Sequence, residues 1–222
     1  MTDLGGLYRD TRSRVAELVR SLDGAGRLAP VPACPGWTVR DLLSHLAGLP
    51  ADINAGRIEG AGTDPWTAAQ LASRTGRSCD ELLEEWEREA PAFEQILTVI
   101  KPPRPLYDVV VHEQDMRGAV GVPGGRDSEG VSLLFSVARN RLTPAFDEAG
   151  LPRLEVETAK GTFVAGTGEV SDRWVVDWFE LFRSMCGRRS AAQLAVLGCP
   201  EPYVEKLAFL PMPGEDVIEV GL

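Results

Sequence analysis

Thr38-Val39-Arg40-Asp41-Leu42-Leu43-Ser44-His45-Leu46-Ala47 is the stretch from which the rest of the chain is best read. Val39, Leu42, Leu43, Leu46 and Leu49 recur at three- and four-residue spacing, the period of a helix with one apolar face. Thr38 and Asp41 stand as in a capping box, with Asp in place of the usual Glu, so the helix opens at Thr38. His45 lies at the edge of the apolar stripe, aligned with Leu42 and Leu49.

Such a helix must cover its apolar face, and the flanking sequence reads as its partners. Upstream, Leu7, Val15, Leu18 and Leu22 keep helical spacing from Leu4 to Leu22, Gly24 stops the run, and Ala29 to Gly36 is a Pro-rich turn. Downstream, Gly56 to Pro65 is a loop. A third helix is expected from Cys79 to Ile100, turning Leu82, Leu83, Trp86, Phe93 and Leu97 inward. Pro91 is a potential kink inside it, and Pro102, Pro103 and Pro105 end it. A fourth runs from Leu106 to Val120 and closes at Gly121 and Pro123. Four helices with apolar inner faces make a bundle.

The second half changes character. A helix is expected from Ser128 to Ala149, with Pro144 disturbing its last turns. Leu154 to Thr158 alternates as a half-buried strand does, Lys160-Gly161 is a turn, and Thr162 to Val164 returns. Trp174 to Gly187 and Ser190 to Leu197 read as helices. The fold class is therefore α+β: a four-helix bundle over 1–125 and a smaller C-terminal α/β domain over 126–222. The boundary falls between Val122 and Ser128, where Pro, Gly and Asp cluster.

Composition excludes several functions. The 222 residues carry 33 acids against 23 Lys and Arg, a net charge of −10 with no local basic patch, so no nucleic-acid partner is expected. The N-terminal stretch lacks the apolar core of a secretory signal, and no run approaches the roughly 18 apolar residues of a membrane helix. Cys34, Cys79, Cys186 and Cys199 are widely separated, which suits free thiols in a cytoplasmic protein. Cys34 reads as a buried structural cysteine and the five tryptophans as core.

The only two histidines, His45 and His112, are the candidates to carry chemistry. Asp108, His112 and Asp115 fall at i, i+4 and i+7 on the fourth helix and share a face. If that face meets His45, two imidazoles and a carboxylate form a suitable zinc site with one position open. The same spacing also describes an ordinary surface pair worth a few tenths of a kcal/mol. The apolar Val109-Val110-Val111 beside His112 speaks for a buried helix, where an Asp–His pair needs a reason. Asp115 is either a carboxylate orienting an imidazole N–H or a solvated neighbour of Arg117. Arg188 and Arg189 are candidates to hold a substrate carboxylate, as is Arg117, although neighbouring arginines after Gly187 also suit a helix terminus.

Three segments resemble a known family. Pro32 to Ala47, Asp108 to Arg117 and, less specifically, Gly187-Arg188-Arg189-Ser190 are similar to motifs of the mycothiol-dependent maleylpyruvate isomerase family, within the DinB-like metalloprotein superfamily. The resemblance implies a DinB-like bundle followed by a sterol-carrier-like domain. It implies a divalent metal, usually zinc, on His45, Asp108 and His112, with Asp108 where the isomerase has a glutamate. It further implies mycothiol, the small thiol of actinobacteria, as cosubstrate. The expected chemistry is activation of that thiol as a zinc thiolate for addition to an electrophilic small molecule, by isomerisation or S-transfer, in a monomer or homodimer. A non-catalytic ligand-binding or regulatory module and a metal-dependent hydrolase are the alternatives.

Overall fold

The computed structural model describes residues 2–99 and 103–220. The chain divides into two compact units. The first runs to Val131 and takes back the chain from Glu219 onward; the second is Ser132–Ile218.

The first unit is helical. Its elements are α1 (Leu4–Ser21), the short α2 (Gly24–Arg27), α3 (Val39–Asn54), α4 (Asp64–Ala72), α5 (Cys79–Ile96) and α6 (Arg104–Val120). Helix α1 packs on α5 and α6, and α3 packs on the same two, so the four long helices close a ring in the order α1–α5–α3–α6. Local chemistry fixes their starts. Asp3 caps α1, Thr38 and Asp41 form the expected capping box of α3, and Ser78 and Glu81 form another on α5. Helix α6 ends on Gly121 in the left-handed region. The core is built from Leu42, Leu43, Leu46, Leu82, Trp86 and Phe93, with the Trp86 indole N–H donating to the Tyr8 hydroxyl at 2.8 Å. The expected third helix ends at Ile96; Ile100 and Pro102, on which its predicted end also rested, lie outside the described residues.

Helix α6 is buried on nearly every side from Val109 to Met116, and Glu113 within it is fully buried. Two arginines make this tolerable. Arg14 of α1 grips Glu113 through Nε and Nη2 at 2.8 and 2.7 Å, and Arg117 donates from Nε at 3.1 Å. The pairing ties α1 to the helix that carries Asp108 and His112.

The second unit contains most of α7 (Glu129–Glu148), then β1 (Arg153–Thr158), β2 (Gly161–Ala165), β3 (Val170–Val175), α8 (Trp178–Met185), α9 (Ala191–Val196) and α10 (Val204–Leu207). The sheet order is β2-β1-β3, with β2 antiparallel and β3 parallel to β1. Phe146, Leu154, Val156, Trp174, Leu181 and Tyr203 share its core. The helix expected from Trp174 is corrected here. Trp174 pairs with Val156 in β3, and the helix starts only at Trp178, where the Asp177 carboxylate accepts from the Phe179 and Glu180 amides. The tryptophans are also more varied than expected: Trp86 and Trp174 are core, whereas Trp37, Trp66 and Trp178 are half-buried. No helix among the described residues is long and apolar enough to cross a membrane.

Candidate metal centre

Helices α3 and α6 pack together, and their contact brings His45 to Asp108 and His112. His45 Nε2 lies 2.8 Å from Asp108 Oδ2, and His112 Nε2 lies 3.3 Å from Asp108 Oδ1. The two imidazole rings meet edge to face at 5.5 Å between centroids. Both histidine side chains are nearly buried, while that of Asp108 is 32% exposed, so the cluster is reached from solvent past the carboxylate.

The far nitrogen of each ring is also held. His112 Nδ1 lies 2.9 Å from Asp115 Oδ2, and Asp115 is fully buried. His45 Nδ1 lies 2.7 Å from Gln70 Oε1 on α4. Both rings therefore keep a hydrogen on Nδ1 and present Nε2 to the centre. The donor set fits a metal ion. Bonds of roughly 2.0–2.1 Å at tetrahedral angles put donor atoms about 3.3 Å apart, and the three donors here lie within 4.8 Å of one another.

Electrostatics follow the geometry. Burial works to raise the Asp108 carboxyl, but the His112 and His45 charges and their hydrogen bonds outweigh it and hold the group far below the usual carboxylate range. Burial works to lower His112, and Asp108, with hydrogen bonds to Asp115 and Cys34, overcomes it and holds the imidazole well above its ordinary value.

The Pro-rich turn completes the wall. It is pinned by bonds from the Val31 amide to the Trp37 carbonyl and from the Cys34 amide to the Val31 carbonyl, with Gly36 at φ 83°. This places Cys34 over α6, where its thiol donates to Asp115 Oδ2 at 3.6 Å and lies 3.9 Å from His112 Nδ1. Cys34 is half-buried and beside the site, not the buried structural cysteine expected. The spacing in the sequence offers no signal for that contact, which depends on the turn folding back across 78 residues. Gln70 was missed because α4 was not read as a helix, although Pro65 after Asp64 is a helix-start signal.

The structure thus brings together His45, Asp108, His112 and Asp115. Arg117 spends its guanidinium on Glu113 and the Val122 carbonyl. In the second unit, Arg189 holds Glu180 through two bonds of 2.6 and 2.9 Å, and Arg188 donates to the Cys186 carbonyl. A substrate carboxylate at Arg117 or Arg189 must displace a carboxylate already there.

A four-helix bundle with an inward His–Asp–His set defines a candidate metalloprotein. Residues 8–117 match the family model described as mycothiol maleylpyruvate isomerase N-terminal domain, and through this domain the chain belongs to that family. Neither the curated proteins nor the solved structures gave a match.

Proposed function

We propose that this protein is an enzyme that holds a divalent metal, zinc, on His45, Asp108 and His112 and activates a small thiol, mycothiol, for addition to an electrophilic small molecule. One observation carries the reading: two Nε2 atoms converge on one carboxylate while both Nδ1 atoms are occupied elsewhere. Two imidazoles and one carboxylate suit zinc, with room for an exogenous donor. A free thiol has a pKa of about 8.5 and is only slightly ionised at neutral pH, and a bound zinc ion supplies the charge that favours its thiolate.

The chain's own residues set the conditions. His45 and His112 wall off the buried side of the site. Asp115 holds the His112 Nδ1 proton, and the exposed flank of Asp108 is the approach for thiol and electrophile. Addition, rotation and elimination amount to isomerisation; addition alone amounts to S-transfer. The four cysteines are all free thiols, which agrees with a reducing, cytoplasmic setting.

The test is turnover of a panel of electrophiles by zinc-loaded protein, with and without mycothiol. Turnover only with the thiol, lost in His45→Ala, is expected. Turnover without thiol would make the protein a hydrolase. Thermal stabilisation by ligand with no turnover would make it a binding module.

A further inference from the structure

We infer that Gln70 is a positioning residue for the metal centre: its side-chain amide fixes the tautomer and direction of His45, and Asp52 fixes the amide. The inference rests on the metal reading above and assigns a role to residues outside the proposed ligand set.

The chain of contacts runs inward from the surface. Arg57 grips Asp52 Oδ1, from Nε at 2.9 Å and from Nη2 at 2.7 Å. That leaves Asp52 Oδ2 to accept from Gln70 Nε2 at 2.9 Å. The orientation of the amide is thereby decided. Turned over, it would set its oxygen against the Asp52 carboxylate at hydrogen-bond distance, two acceptors with no proton between them. The amide oxygen must face His45, and an oxygen 2.7 Å from Nδ1 can only accept. With the Nδ1 hydrogen committed to Gln70, Nε2 is the nitrogen left for the centre, and its 2.8 Å approach to Asp108 Oδ2 is one that a proton or a metal ion must bridge. Gln70 is 1% exposed, so water does not compete for either bond.

A second observation points the same way. Gly48 lies one turn beyond His45 in the interior of α3, where glycine costs about 1 kcal/mol against alanine. A Cβ there would come within 3.1 Å of Gln70 Cβ and 2.9 Å of Arg74 Nη1. The glycine lets α4 approach α3 closely enough for the short Gln70 side chain to reach the ring. Gln70 and Asp115 thus perform parallel tasks with different electronics: a neutral amide behind His45 and a carboxylate behind His112. His112 is in consequence the stronger donor of the pair.

The experiment is titration of the metal-free protein with cobalt(II), followed by its visible absorption, with melting temperatures of the metal-free proteins measured alongside. Gln70→Leu should weaken cobalt binding about 10- to 100-fold and change the absorption bands; because it also strands the buried His45 N–H and Asp52 Oδ2, some fall in metal-free melting temperature is expected, and rescue by a double variant separates the two effects. The double variant Gln70→Glu/Asp52→Asn exchanges amide and carboxylate but keeps every donor facing an acceptor, so binding should return to within about threefold of wild type. Gly48→Ala should weaken binding despite its better helix propensity. Equal cobalt affinity in wild type and Gln70→Leu would overturn the inference. So would a Gln70→Leu loss matched by a fall in metal-free melting temperature and not rescued by the double variant, since that describes a purely structural glutamine. A wild-type protein that binds no cobalt would instead remove the metal reading itself.

Discussion

Replacing Asp115 by alanine removes a fully buried carboxylate that accepts from His112 Nδ1 at 2.9 Å and from the Cys34 thiol at 3.6 Å. Two effects follow. The His112 N–H loses its carboxylate in a site closed to water, which costs the fold about 1–3 kcal/mol. The ring also becomes a weaker and less well-aimed donor, which typically costs about 10- to 100-fold in metal affinity, or about 1.4–2.7 kcal/mol. Asp115→Asn keeps an oxygen able to accept from Nδ1 but loses the charge and exchanges the other oxygen for an NH2 donor, so its loss of affinity should be smaller than that of Asp115→Ala. The assay is zinc competition against a chromophoric chelator, with urea unfolding of the metal-free proteins in parallel. The expected order of affinity is wild type, Asn, Ala. If Asp115→Ala binds zinc within about twofold of wild type, the carboxylate does not orient the ligand.

Further outcomes follow from the same contacts. His112 is held above its ordinary value by Asp108, so in metal-free protein its stabilising contribution is full below about pH 6.5 and is lost as pH rises through the raised folded value. Asp108 is depressed, so its contribution is present above about pH 3.9 and is lost as pH falls towards its folded value. Thermal melts should show metal-free stability falling on the alkaline side while the stabilisation by zinc grows, because binding must displace protons. Glu113→Ala leaves Arg14 and Arg117 facing a vacated buried site and should cost about 3–5 kcal/mol in urea unfolding, whereas Glu113→Gln should cost less; equal and small losses would mean that the ion cluster does not secure α1 to α6.

The parts of the molecule legible in the sequence are those fixed by local rules. The stripe from Val39 to Leu49 and the Thr38–Asp41 box define α3 without reference to anything distant, and Gly121 closes α6 for the same reason. Asp108, His112 and Asp115 were legible as one face because three- and four-residue spacing on a helix is local geometry. The strand β3 was not, because Trp174 is carried into the core by a strand that forms only on pairing with β1, a contact that residues 170–175 alone do not announce. Gln70 and Cys34 escaped for a related reason. Each meets its histidine across a long loop closure, and neither a lone glutamine nor a cysteine between prolines distinguishes itself from a structural residue. The buried Glu113 is a similar case: its acceptability depends on Arg14, 99 residues away.

The most direct measurement is metal content per chain by elemental analysis, on native protein and on His45→Ala and His112→Ala, dialysed without chelator. The predicted result is about one zinc per native chain and none retained in either variant. No bound metal in the native protein, even after reconstitution with zinc, would contradict the central claim, as would full metal content in both variants.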